Sequence, residues 1–142
     1  MKGINYALLL FVCTLLGYCS SSGGADGVIL LNNDHLGIAI KKQGAELISI
    51  LRLDDGTQYL WQGDTTTWQD HAIIQFPIIG NLKNDSYQLD GASYKMMSHG
   101  FARISQFKVI EHTASKAVLE LNSSSETRQY YPFDFTFTVS YE

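Results

Sequence analysis

Cysteine is missing from everything after residue 19. Cys13 and Cys19 both lie close to the N-terminus, so the rest of the chain has no disulfide and no thiol chemistry. A basic stripe is missing too. The net charge is −4 with the charges spread along the chain, which argues against nucleic acid as a partner. The histidines His35, His71, His99 and His112 are scattered, no two at metal-ligand spacing, so no structural metal site is expected. There is no internal repeat, no low-complexity stretch beyond the Ser/Gly linker at 20–24, and no convincing amphipathic helix.

What is present begins with a leader. Lys2 gives a short positive start, Ala7 to Leu16 form an apolar run, and small and polar residues follow through Ala25. This is the layout of a bacterial export signal, too short for a comfortable membrane span. Residues 1–25 are therefore read as an export signal or lipoprotein leader, and 26–142 as the folded part. Cys19 has Leu16 at the lipobox offset and a Ser/Gly tether behind it, but Tyr18 stands where a small residue is usual. Lipidation of Cys19 and plain cleavage after Cys19 or Ala25 both stay open. The product is expected in the periplasm or anchored to a membrane face, with any membrane contact made only through that lipid.

From Gly27 onward almost everything reads as strand. Val28–Leu31 is a short apolar run ending in a turn cluster. Leu36, Ile38 and Ile40 alternate with smaller or polar residues, and Leu47, Ser49, Leu51 and Leu53 should share one face of the next strand. Asp55-Gly56 signals a hairpin after which Tyr59–Trp61 should resume the sheet. Asp90-Gly91 signals a second hairpin, between 86–89 and 92–97. Residues 106–112 and 117–122 are further strands. Residues 63–75 read as a loop or a single helical turn. Phe133, Phe135, Phe137, Val139 and Tyr141 then alternate with polar residues, a strong period-two signal. The class is all-β, a sandwich or a barrel. The strand pattern still runs at Glu142, and an aromatic strand of this kind needs a cover and neighbours, so an incomplete domain is expected.

The candidate site is His99-Gly100-Phe101-Ala102-Arg103, downstream of Phe76-Pro77-Ile78-Ile79-Gly80. An imidazole and a guanidinium four residues apart can converge on one polar ligand, and both donate hydrogen bonds without a metal. The aromatic, β-rich flanks suit a sugar better than a nucleotide. Glu111-His112 reads as exposed polarity at a strand end, and Asp54-Asp55 before Gly56 as a turn.

These pieces resemble, in order, the N-terminal half of the aldose 1-epimerase, galactose mutarotase-like family. They are Gly44-Ala45-Glu46-Leu47, Tyr59 to Asp64, Trp68, Phe76 to Gly80, Tyr87, Asp90-Gly91, Tyr94, His99 to Arg103, Phe107, Glu126-Thr127 and Tyr131-Pro132-Phe133. The resemblance implies an antiparallel β-sandwich, the family's supersandwich, with a free aldose in an open groove and no cofactor. It implies interconversion of α and β anomers. An acid protonates the ring oxygen, a base takes the anomeric hydroxyl proton, and the ring opens, rotates about C1–C2 and recloses. Residue by residue, it makes His99 the candidate catalytic and sugar-binding residue, Arg103 a contact to hydroxyls or to a sugar phosphate, and Phe76 a pocket wall. Asn81 stands where the family commonly has a sugar-contacting arginine. The family's acid histidine and basic glutamate belong to its C-terminal half, so a truncated form is expected, with a separately encoded C-terminal half as a conceivable partner. The alternative function is a non-catalytic, exported carbohydrate-binding β-sandwich.

Overall fold

The computed structural model describes residues 27–142. Residues 1–26, with Cys13, Cys19 and the stretch expected to be a leader, lie outside the described residues. Those residues form eight strands: β1 (Val28–Asn32), β2 (Leu36–Lys41), β3 (Leu47–Arg52), β4 (Ser86–Leu89), β5 (Ala92–Lys95), β6 (Lys108–His112), β7 (Ala117–Asn122) and β8 (Thr136–Tyr141). They pair, all antiparallel, as sheets β1-β2-β3, β4-β5 and β6-β7-β8. The only helical pieces among the described residues are short 3₁₀ turns at Lys83–Asp85, Ala102–Ile104 and Thr127–Gln129.

The core lies where the two larger sheets meet the 96–107 segment. Ile29, Leu31 and Ile40 come from the first sheet and Ala117, Leu119 and Leu121 from β7, with Met96, Phe101 and Phe107 from the connection. Backbone bonds tie the layers directly. Gly44 N–H donates to Ser105 O (2.8 Å) and Phe107 N–H to Lys42 O (3.0 Å). Tyr141 at the end of β8 donates its hydroxyl to Ala45 O at 2.6 Å.

Period-two patterning places β8 as expected. Phe137, Val139 and Tyr141 are half-buried while Thr136, Thr138 and Ser140 are exposed. The Asp90-Gly91 hairpin forms with φ of 50° and 82°, the paired positive values a two-residue turn needs. Its second strand ends at Lys95, although Met96 N–H still donates in register to Asp85 O (2.9 Å), and the Met96 side chain enters the core.

Two expectations fail for physical reasons. Leu47, Ser49, Leu51 and Leu53 do not share a face. The register shifts between Ala39 and Ile40, so that Ile40 opposes Leu47 and Ile48 is left without a partner. This bulge sends Leu47 into the core, while Ser49, Leu51 and Leu53 line a cleft on the other side. Nor do Tyr59–Trp61 resume the sheet. The backbone rejoins β3 only at the single antiparallel bridge Leu51↔Gln58, between Arg52 N–H to Thr57 O and Tyr59 N–H to Ile50 O (2.8 Å each). The Gln58 side chain then takes over the edge: its Oε1 accepts from Ile50 N–H (2.9 Å) and Leu60 N–H (3.2 Å), and its Nε2 donates to Ser49 Oγ (2.7 Å). The 63–75 segment is a loop. Asp64 Oδ1 accepts from Thr66 N–H (2.8 Å) and Oγ1 (2.7 Å), and Trp61 Nε1 donates to Trp68 O (2.8 Å).

Candidate functional site

The 76–80 and 99–103 segments, far apart in sequence, are clasped together by backbone. Phe76 O accepts from the amides of both Phe101 (2.9 Å) and Ala102 (3.2 Å). Gly100 makes the approach possible. A Cβ there would stand 2.1 Å from Phe76 O, and the φ of +72° disfavours any side chain as well. At the other end of the clasp His99 N–H donates to Gly80 O at 2.9 Å, and Gly80 N–H donates to His99 Nδ1 at 3.0 Å.

That last bond assigns the imidazole. Nδ1 accepts, so in the neutral ring the proton sits on Nε2 and makes it a donor. Among the described residues Nε2 has no hydrogen-bond partner. His99 is also held at φ +63°, in the left-handed region, uncommon for residues other than Gly, although Asn, Asp and His are enriched there. Holding it there costs on the order of 1 kcal/mol, a cost that recurs where a side chain must be aimed. The half-buried ring is thus oriented from the backbone, with one donor left over.

Arg103 is placed differently. Its Nη1 pairs with Asp70 Oδ2 at 3.3 Å, and its buried Nε has no partner. It lines a polar cavity of about 230 Å³ with Lys41, Gln43, Glu46, Gln69 and Asp70. His99 is not among the residues lining this cavity. Glu46 is the buried acid of this region, 8% exposed. Its Oε1 accepts from His71 N–H (2.7 Å) and its Oε2 lies 3.3 Å from Lys41 Nζ. Burial and the charge of Glu46 together push the Tyr141 hydroxyl above the ordinary tyrosine pKa.

Asn81 is exposed, one residue past the clasp. Phe76 is half-buried in an aromatic cluster. Its ring stacks on Phe137 (centroids 4.7 Å, 19° apart) and meets Phe101 and Tyr131 edge-on at 5.9 and 5.8 Å. Each such pair adds about 1 kcal/mol beyond area burial, so packing accounts for Phe76 here. His112 ends β6, its Nε2 3.3 Å from Leu30 O. Sequence reasoning missed Asp70 as the partner of Arg103; an acid in an irregular polar loop has no periodicity to single it out. It also gave Glu46 no role; the positive φ of Gly44 and Ala45 that turns the chain into it is a property of the fold, not of the sequence pattern.

Comparison with known proteins extends this picture. The chain is 32% identical over 118 residues to the chromosomal protein LacX of Lactococcus lactis subsp. lactis, covering 80% of this chain and 39% of that protein. It is similar to the structure of a galactose mutarotase related enzyme from Lactobacillus acidophilus (36% identity, TM-score 0.78, 80% of this chain and 38% of that one). It is likewise similar to a galactose mutarotase-like protein from Lactobacillus casei ATCC 334 (37% identity, TM-score 0.77, 80% and 39%). The chain thus spans under two fifths of the length of these relatives. The aldose 1-epimerase family model matches residues 27–142, across all three sheets and the clasp, and the chain belongs to that family.

Proposed function

We propose that this chain takes part in carbohydrate metabolism as an aldose 1-epimerase-like protein, with His99 contacting a free aldose. The observation that carries the reading is the bond from Gly80 N–H to His99 Nδ1. It leaves Nε2–H as a fixed donor, and a sugar oxygen is an acceptor of matching chemistry. A neutral, oriented imidazole donor of this kind positions a ring or hydroxyl oxygen without bringing charge. Asn81, one residue beyond Gly80, supplies a further polar group at the rim, and Arg103 stays engaged with Asp70 unless an anionic ligand competes for it.

Anomer interconversion needs a proton delivered to the ring oxygen while another leaves the anomeric hydroxyl, from groups within hydrogen-bond reach of both. The C1–ring-oxygen bond breaks to give the aldehyde, C1–C2 rotates, and the same bond reforms on the other face. In 27–142 His99 is the one group proposed near the reacting centre, with Asn81 at the rim, and the acid and base implied by the family resemblance belong to the unmatched part of the fold. Residues 27–142 are therefore expected to bind aldose and to turn it over little faster than buffer. The export reading of residues 1–25 is a separate proposal, tested by the mass of the native N-terminus.

The test is a titration of 27–142 with D-galactose and D-glucose followed by ligand-observed NMR, with polarimetry alongside. Binding should be lost in His99→Ala and kept in His112→Ala. Equal loss in both, or in neither, removes His99 from the site.

A further inference from the structure

Acid acts unequally on the histidines of this fold. A neutral imidazole has one nitrogen that donates and one that accepts, and the charged ring donates from both. His71 Nδ1 lies 3.7 Å from Glu46 Oε1, so a proton there adds an attraction to a buried carboxylate. His112 Nε2 faces Leu30 O at 3.3 Å, and a carbonyl accepts from the neutral or the charged ring alike. His99 is the opposite case. Its Nδ1 accepts from Gly80 N–H at 3.0 Å, and a proton on that nitrogen sets N–H against N–H. Among the described residues no carboxylate forms a salt bridge with its ring to offset the charge.

Nothing else around the ring takes over that role. The segment clasped to it, Phe76 to Asn81, has no titratable side chain. On its own segment Arg103 is turned to Asp70 at 3.3 Å. Lys83 and Asp85, in the 3₁₀ turn beyond Asn81, are exposed. Tyr130 and Tyr131, against the Phe101 and Phe76 rings, are uncharged in acid. The backbone of His99 is fixed at φ +63°, with its N–H on Gly80 O (2.9 Å) and the next amide, Gly100, on Met97 O (3.0 Å). A charged ring therefore relieves the repulsion by turning about Cβ–Cγ or by backing away from Gly80. Either movement displaces Nε2.

We propose that the contact between His99 Nδ1 and Gly80 N–H is a proton-operated latch on sugar binding. Protonation of Nδ1 releases the Gly80 amide, swings Nε2–H out of line and lowers the affinity for aldose. The ring alone gives the reverse direction. Nε2–H is present in both forms, and a charged donor bonds an oxygen more strongly than a neutral one. What acid removes is orientation, which the backbone contact supplies. The latched state carries one proton fewer than the unlatched state, so falling pH favours the unlatched one. The inference rests on the reading of His99 as the sugar contact, but opening of the latch is measured without sugar.

The full chain, isotopically labelled, is compared by NMR at about pH 7.5 and about pH 5, on either side of the ordinary histidine range. Ring nitrogen shifts report the charge on His99. Amide exchange, corrected for pH, reports Gly80, and saturation transfer reports D-galactose. At the lower pH the His99 ring is expected to be charged and the Gly80 amide to lose protection about tenfold or more. Galactose affinity is expected to fall by about the same factor. Met96 N–H, held on Asp85 O, should keep its protection. In His99→Asn the carboxamide accepts from Gly80 N–H and does not titrate, so Gly80 protection should be equal at both pH values. A fall in that variant as large as in wild type assigns the effect to another group and overturns the inference. A Gly80 amide that stays protected at the lower pH overturns it, as does galactose bound as tightly or more tightly by the charged ring. Met96 losing protection in step marks general unfolding and overturns it too. Absence of galactose binding at the higher pH removes the sugar contact and the effect on affinity with it, while the Gly80 amide still decides whether the latch opens.

Discussion

The clasp that aims His99 and the cavity that holds Arg103 lie four residues apart in sequence and are built in opposite ways. The clasp is made of main-chain groups: Phe76 O receives two amides and Gly80 exchanges two bonds with His99. The cavity is made of side-chain charges, Lys41 and Arg103 against Glu46 and Asp70. Main-chain geometry is indifferent to salt and intolerant of an added methyl. Side-chain ion pairs at partly exposed positions are screened, adjustable and individually weak. An imidazole aimed by the first kind of structure is preorganised, whereas a guanidinium held by the second is free to trade partners.

The sharpest way to break the clasp is Gly100→Ala. The new Cβ would meet Phe76 O at 2.1 Å at a φ of +72°. The left-handed conformation costs an alanine about 1 kcal/mol or more and the overlap on the order of 1–3 kcal/mol besides. That is a large fraction of the stability of a domain this size. Loss of soluble protein, or a denaturant midpoint far below wild type, is expected. A variant with the wild-type midpoint would show that the two segments are not held this closely.

His99 separates structure from ligand. Asparagine tolerates a left-handed backbone and brings an acceptor for Gly80 N–H. His99→Asn should stay within about 1 kcal/mol of wild type, while His99→Ala orphans that amide and costs about 1–2 kcal/mol. Both remove Nε2–H, so both should lose the sugar. Retained binding in the asparagine variant would shift the contact away from that nitrogen.

Much of the clasp was legible before any coordinates. The two motifs were visible as motifs, and alternation of Phe137, Val139 and Tyr141 with Thr136, Thr138 and Ser140 is a signal that half-burial of one face imposes directly. The Asp90-Gly91 turn is equally local, because its backbone angles are required by its own two residues. What stayed hidden depends on partners. The bulge at Ile48 is a one-residue slip relative to β2, invisible in β3 by itself. The edge after Asp55 is built by the Gln58 amide, and the 63–75 loop by Asp64 and Glu46, none of which leaves a period. The tautomer of His99 and the pairing of Arg103 with Asp70 are likewise properties of contact, not of spacing.

On the cavity side, Tyr141 reports pH. Its hydroxyl donates to Ala45 O and its pKa is raised, mainly by burial and then by the charge of Glu46. The folded state therefore holds this proton more tightly than the unfolded chain does. Stability from this group is intact below the ordinary tyrosine pKa of about 10 and is lost as pH rises through the higher folded value. Tyr141→Phe should cost about 1 kcal/mol at neutral pH and flatten the alkaline decline. An unchanged decline, measured by chemical denaturation across that range, would place its origin elsewhere.

The smallest effect expected is at Arg103 itself. Asp70→Asn removes the charge of its partner but leaves an oxygen that still accepts from Nη1. Both side chains are about one-third exposed, at 35% and 32%, so the pair contributes roughly 0–1 kcal/mol at low salt and less as salt is added. Wild type and Asp70→Asn should therefore differ slightly in dilute buffer and converge at high ionic strength. His99-dependent sugar binding should be the same in both, because the clasp contains no charge. If Asp70→Asn instead abolished binding, the two regions would be one site, and the contrast between an aimed imidazole and a loosely held guanidinium would fail.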